Sequence, residues 1–181
     1  TALTNLSFNN VTINSGTQLD GGNNILFVTG TWVNNSTNGF TQSSSGLLQF
    51  SSTSGTQLID NGTQSTTFTN LLLVGAGPKT FSRSNTSSGS LILRGTSNFP
   101  AGFGTVSLSS NSTVQYSAGI NQTVFSTAYG NLTLTSSALA TKTLAADISI
   151  AGNLTISDVN TQMSASNRTV TLTGNFSFPT G

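Results

Sequence analysis

The sequence predicts an all-β chain: a parallel β-helix (β-solenoid) of roughly nine coils, built from about three repeats of 61–66 residues. Three observations lead there. Helix formers and charges are scarce, a long internal repeat runs the length of the chain, and short runs inside it alternate apolar with polar residues.

Charged residues make up 5% of the chain, against roughly 25% in an ordinary soluble domain. The acids are Asp20, Asp60, Asp147 and Asp158, with no Glu; the bases are Lys79, Arg83, Arg94, Lys142 and Arg168. His and Cys are absent, which removes the usual general bases, metal ligands and any disulfide scaffold. The net charge of +1 is spread out, so no basic stripe argues for nucleic acid or an anionic membrane surface. Disorder couples low hydrophobicity to high net charge, whereas this chain is 34% hydrophobic and nearly neutral. Its polar residues are mostly Ser, Thr, Asn and Gly, which suit strands and turns and disfavour helices. Essentially no helix is expected, and no membrane insertion, because no apolar run reaches spanning length.

The long repeat shows in three segments. Thr4-Asn5-Leu6-Ser7-Phe8 corresponds to Thr69-Asn70-Leu71-Leu72-Leu73 and to Gly130-Asn131-Leu132-Thr133-Leu134. Further on, Asn24-Ile25-Leu26-Phe27 corresponds to Ser90-Leu91-Ile92-Leu93 and Asn153-Leu154-Thr155-Ile156. Between these, Leu48-Gln49-Phe50-Ser51 matches Val114-Gln115-Tyr116-Ser117, and Lys79-Thr80-Phe81 matches Lys142-Thr143-Leu144. The offset drifts, as it does when turns change length between fixed strands. One continuous solenoid over residues 1–181 is expected, with copies at about 4–68, 69–129 and 130–181.

A shorter rhythm lies within each copy. Runs at Thr113–Tyr116, Asn131–Leu134, Asp147–Ile150, Asn153–Ile156 and Thr169–Leu172 place apolar residues at i and i+2, the strand period. Runs centred on Val114, Leu132, Leu154 and Val170 return at about the length of one solenoid coil. One coil cannot bury its apolar face alone, but stacked coils share a continuous core. The residues expected to stack there are Leu6, Phe8, Leu26, Phe50, Leu71, Leu73, Leu91, Leu93, Val114, Tyr116, Leu132, Leu134, Leu154, Ile156, Val170 and Leu172. Asp20-Gly21-Gly22-Asn23 and Asn38-Gly39 supply the positive φ that tight corners need. A β-sandwich also shows short strands, but its units run to about 100 residues. A right-handed winding follows from the general preference of parallel crossovers.

The phrases Tyr129-Gly130-Asn131-Leu132-Thr133-Leu134-Thr135, Lys142-Thr143-Leu144, Ile148 through Ile156 and Val170-Thr171-Leu172-Thr173-Gly174-Asn175-Phe176 carry a resemblance, with Val28-Thr29-Gly30-Thr31-Trp32 a looser example. They resemble the repeat units of very large secreted cell-surface adhesins of Bacteroidota-type bacteria. The resemblance covers nearly the whole chain and is closest in the third copy. It implies a parallel β-helix filament or stalk, exported and displayed at the cell surface. It carries over no catalytic or binding residue.

The chemistry-bearing residues are few. β-Helical lyases and glycosidases need paired carboxylates, and the four Asp stand apart in sequence, each beside small or apolar neighbours. They are expected at turn corners. Lys79 and Lys142 hold equivalent places in two copies and are expected as solvated strand ends. Phe8, Phe27, Phe50, Phe68, Phe81, Tyr116, Phe125, Tyr129, Phe176 and Phe178 are expected in the core. Trp32, a candidate sugar platform, is expected instead to fill a wide place in the column. Thr-x-Thr pairs at 29/31, 67/69, 133/135, 141/143 and 169/171/173 raise an ice-binding face, but unlike strands interrupt them. Asn-x-Ser/Thr sequons are frequent in so Asn-rich a chain; Asn5, Asn35, Asn61, Asn85, Asn111, Asn121, Asn153 and Asn167 are the candidate glycosylation sites, with Asn10, Asn131 and Asn175 also in sequons.

Both ends of the sequence lie inside a repeat, which is expected of a window on a longer array or of subunits stacking end to end. The expected function is a structural or adhesive segment of an extracellular filament or stalk-like surface protein, not an enzyme. It needs no cofactor or metal, and its partners are copies of itself or neighbouring repeats, with surface glycans as further candidates. The alternatives are a carbohydrate-binding or degenerate polysaccharide-processing β-helix, and an ice-binding solenoid.

Overall fold

The computed structural model describes residues 5–77, 79–81, 86–94, 107–108 and 110–179. No helix occurs among them, and their strands wind into a parallel β-solenoid of about seven turns. One side, the long face, is a single parallel sheet. Its path runs Leu6–Phe8, Ile25–Val28, Leu47–Phe50, Thr67–Leu73, Thr86–Leu93, Thr113–Tyr116, Asn131–Leu134, Leu154–Ile156 and Phe176–Ser177. A second face carries Val11–Ile13, Trp32–Asn34, Gln57–Ile59 and Lys79–Phe81, then Gln122–Val124, Ala140–Leu144 and Thr161–Ser164. The third pairs Leu19–Asp20 with Phe40–Thr41, and Ile148–Ile150 with both Ala128–Tyr129 and Val170–Leu172.

Strand alternation turns every second long-face residue inward. Leu26, Leu48, Leu71, Leu91, Val114, Leu132 and Leu154 pair in unbroken register and are all buried. Beside them runs a second register of Val28, Phe50, Leu73, Leu93, Tyr116, Leu134 and Ile156. Burying each such Leu is worth about 1.5–3 kcal/mol relative to leaving it exposed, so the columns hold each coil to its neighbours. In the N-terminal half the wider core is filled by rings. Trp32, fully buried, lies edge-on to Phe40 and Phe50 at 5.1 and 5.9 Å, and Phe68 bridges Phe50 and Phe81 at 6.3 and 6.1 Å. Edge-to-face contacts add about 0.5–1.5 kcal/mol beyond area burial. Asn38 and Gly22, at two of the expected corners, have φ of 54° and 50°.

Several expectations need correction. Leu6 is 39% exposed, because among the described residues its strand pairs on one side only, with Leu26. Phe8, Ile156, Val170 and Leu172 are half-buried against the core rather than within it, and Leu93 has no described side chain. Phe27 points outward between buried Leu26 and Val28, while Phe125, Phe176 and Phe178 are exposed. Lys79 and Lys142 are buried, not solvated. Val170 does not continue the Val114–Leu132–Leu154 series: it stacks on Ile148 on the third face, and Phe176 follows Leu154. The alignment of Leu26 with Ile92 is also one residue out, since three steps of register carry Leu26 to Leu91. Such a slip exchanges the inner and outer faces of a strand.

Candidate functional site

Two kinds of polar group are candidates: those buried in the corners and those displayed on the faces. At the corner between the long and second faces, Lys142 donates from Nζ to Ala118 O at 2.7 Å, Ile120 O at 3.1 Å and Gln122 Oε1 at 2.7 Å. Three coils earlier, Lys79 donates to Ser52 O at 3.0 Å, Gly75 O at 3.2 Å and Gly77 O at 2.7 Å. Each ammonium fills a cage of backbone carbonyls that the tight turns leave pointing inward, where an unmade hydrogen bond is costly. Burial lowers both lysine pKa values to about 8; for Lys142 the charge of Asp158 opposes that shift.

The neighbouring coil meets the same need with an amide. Gln57, in register with Lys79, donates from Nε2 to Val28 O and Gly30 O at 2.8 Å and accepts the Ser52 N–H at 3.1 Å. Gln122 holds the equivalent place beside Lys142 and accepts the Ala118 N–H at 3.1 Å. In the next coil the register puts Met163 there. These lysines are corner plugs. They were legible as a repeated position, but nothing in the sequence distinguishes a caged lysine from a solvated one.

The four aspartates do not converge. Asp20, exposed, accepts the Gly22 N–H and the Thr41 hydroxyl; Asp147, also exposed, accepts the Thr169 N–H. Asp60 is buried at φ 56°, where it takes the Thr66 N–H at 2.6 Å and the Thr66 hydroxyl. Trp32 Nε1 and Asn34 Nδ2 donate to the same Thr66 oxygen, each at 3.2 Å. Asp158 ties two coils together: it accepts from Thr135 Oγ1 at 2.6 Å and Ser136 N at 2.7 Å in one, and from Asn160 N and Thr161 Oγ1 at 3.0 Å in its own. Partial burial pushes its pKa up, but these bonds outweigh that and hold it below the usual carboxylate range. Among the described residues, no group of three or more His, Cys, Asp or Glu is placed to hold a metal.

A buried tyrosine pair sits in the C-terminal half. The hydroxyls of Tyr116 and Tyr129 lie 3.2 Å apart; Tyr116 accepts the Phe125 N–H at 2.9 Å and Tyr129 donates to Phe125 O at 2.6 Å. Burial pushes Tyr116 up to about 12, against the hydrogen bonds it makes, and pushes Tyr129 up as well.

Outside, the sequons find a structural use. Asn131 Oδ1 accepts the Asn153 N–H at 2.9 Å, and Asn153 Oδ1 accepts the Asn175 N–H at 3.0 Å, forming a ladder up one corner. Asn121 and Asn35 make the same kind of bond, to the N–H of Thr141 at 2.8 Å and of Thr63 at 3.0 Å. An Asn at the corner, an apolar residue inward and a hydroxyl outward spell a sequon from packing alone. Asn5, Asn61, Asn111, Asn153 and Asn167 are exposed, Asn121 is exposed too, and Asn35 is half-buried; Asn85 lies outside the described residues.

The central column of the long face, between the two inward registers, reads Ser7, Phe27, Gln49, Leu72, Ile92, Gln115, Thr133, Thr155 and Ser177, with Leu72 itself buried. Its N-terminal half is interrupted by large apolar residues, which breaks any array of hydroxyls running the whole length. Beside its C-terminal half lies an open depression of about 500 Å³ lined by Arg94, Gln115, Ser117, Gly119 and Thr135 with the two serines after it. No protein-family model, no curated protein and no solved structure matches this chain.

Proposed function

We propose that this chain is a structural and adhesive segment of an extracellular filament or stalk-like surface protein, working either by self-association or within a long repeat array. The observation that supports it is the use made of the polar groups. The buried lysines, Gln57 and Asp60 bond to backbone or to the side chains of Gln122 and Thr66 within the wall, and Asp158 stitches adjacent coils. Such an interior makes a stiff, extendable rod, and its outer faces are nearly uncharged. In this reading the chain forms one right-handed solenoid of about nine coils, three to each sequence repeat of 61–66 residues. Its phrases resemble those of Bacteroidota-type surface adhesins, and in this reading it works at the cell surface with copies of itself or neighbouring repeats as partners.

Electron microscopy and small-angle scattering of the purified chain test the proposal. The expected particle is a rod that lengthens by about 4.8 Å for each coil, and fibres or aligned rods form as concentration rises. Compact particles with no lengthwise association at any concentration would overturn it.

A further inference from the structure

We propose that the depression beside the C-terminal half of the long face binds an acidic sugar, with the carboxylate on Arg94 and the sugar hydroxyls against Gln115, Ser117 and the turn that follows Thr135. The inference rests on the adhesive reading and names the ligand class of one site on that surface.

Its volume of about 500 Å³ falls within the range of about 300–1,000 Å³ usual for small-ligand sites. Its lining is unusual for this protein. With Lys79 and Lys142 buried in their cages, Arg94 is an exposed cation in a chain with five bases in all; among the described residues no carboxylate lines the depression, and Asp158 stands behind Thr135 with its charge engaged by four donors. A guanidinium presents a planar fork of donors that matches a carboxylate in two parallel bonds. One positive group fits a ligand with one negative group. The rest of the wall consists of an amide, hydroxyls and a glycine, which matches a polyhydroxylated body rather than an apolar one.

The wall is held in place from behind. Thr135 Oγ1 and Ser136 N both bond Asp158, and Ser136 Oγ donates to Ala118 O at 3.1 Å. The hydroxyl proton of Thr135 is committed to Asp158, so its oxygen meets a ligand as an acceptor, while Gln115 offers amide donors; Ser136 is buried and holds the turn from within. Gly119 also lines the depression, and a Cβ at that position would stand 2.9 Å from Ser137 Oγ, so a large side chain there crowds the site. Arg94 sits in the coil before Gln115, and Thr135 in the coil after it, so an occupant spans three coils. An acidic oligosaccharide running along the axis would place successive residues over successive coils.

The test is calorimetric titration of the full chain with a galacturonate oligomer, galacturonate monomer and a neutral galactose oligomer of equal length. The expected result is saturable binding of the acidic oligomer and, more weakly, of the monomer, with the neutral oligomer weaker by about tenfold or more, the scale of a charge-assisted bidentate contact. Arg94→Gln should remove that preference, and Gln115→Ala should weaken binding, with thermal melts unchanged in both. Gly119→Val should close the site. No binding of either acidic probe, or equal binding by Arg94→Gln, would overturn the proposal. Rod formation by Arg94→Gln reads the filament independently, so loss of one does not imply loss of the other.

Discussion

Lys142 Nζ lies 2.7 Å from Gln122 Oε1 in the preceding coil, and the two side chains together close a corner that neither closes alone. The amide accepts the Ala118 N–H as well as the ammonium, while the ammonium reaches past it to the Ala118 and Ile120 carbonyls. A tight turn in a thin-walled solenoid points backbone groups inward, where water does not reach them. Long polar side chains from the adjacent coil take the place of that water.

Replacing this lysine by methionine, the residue the register places above it, conserves volume and removes the donor. Lys142→Met should destabilise the chain by about 1–3 kcal/mol, the cost of leaving buried acceptors unpaired. Lys142→Gln should recover part of that loss, because Gln57 shows that an amide can serve such a corner. Denaturant unfolding of the two variants checks the order. Equal stability of Lys142→Met and the parent would contradict the cage.

The lysines and tyrosines also set an alkaline stability optimum. Lys79 and Lys142 titrate at about 8 in the fold against 10.5 when unperturbed. Between those values the unfolded chain binds protons that the folded chain has released, so stability rises with pH. Tyr116 does the opposite: held up to about 12 from 10, it keeps its proton after the unfolded chain has lost it, and stability falls over that window. The melting temperature should therefore climb from pH 8 to a maximum near pH 10 and then drop. The Lys79→Met/Lys142→Met pair should lose the climb, and Tyr116→Phe/Tyr129→Phe should soften the drop.

Much of the scaffold was legible because its rules are local. Alternation marked the strands at Thr113–Tyr116 and Asn131–Leu134 to the residue, and the corner Asn before Leu132 and Leu154 marked the long face. What alternation cannot tell is which face a strand belongs to. Thr169 through Leu172 reads like any other strand, and only the phrase Gly174-Asn175-Phe176, matching Gly152-Asn153-Leu154, shows that the long face resumes later. The one-residue slip at Leu26 has the same origin, since Ile25-Leu26-Phe27-Val28 is apolar throughout and offers no polar residue to fix the phase. The depression at Arg94 was hidden for another reason. It is assembled from three coils whose members lie far apart in sequence, and none of them carries a motif.

Asp158 should behave as a stitch and not as a catalytic acid. Asp158→Ala leaves the Thr135 hydroxyl and the Ser136, Asn160 and Thr161 donors without their common acceptor. The expected loss is about 1.5–3 kcal/mol, the usual scale for hydrogen bonds to a charged group. Its depressed pKa means that this stabilisation is present above the ordinary carboxylate range and is lost as pH falls through the lower folded value. The parent should therefore lose stability in acid more steeply than Asp158→Ala, as acid-titration melts would show. Parallel acid limbs would remove Asp158 from the account.

The ladder Asn131–Asn153–Asn175 makes a sharper demand on chemistry than on charge. Only Oδ1 is needed to receive the N–H of the next coil, so Asn153→Asp should fold almost as well as the parent, while Asn153→Ala should cost about 1 kcal/mol. The glycines beside the ladder are more constrained. A Cβ on Gly152 would stand 2.3 Å from Asn131 Oδ1 and 2.8 Å from Gly130 O, and one on Gly174 would stand 2.2 Å from Gly152 O. These corners stack backbone on backbone, so a methyl group has no flexible neighbour to displace at Gly174. Gly174→Ala should therefore open the last described corner, at a cost of about 1–3 kcal/mol, the scale of overpacking. Coils interact only with their neighbours, so hydrogen exchange should quicken at Leu154, Asn175 and Phe176 and stay unchanged around Trp32. Quickening spread evenly along the chain would mean that the solenoid unfolds as one unit rather than coil by coil.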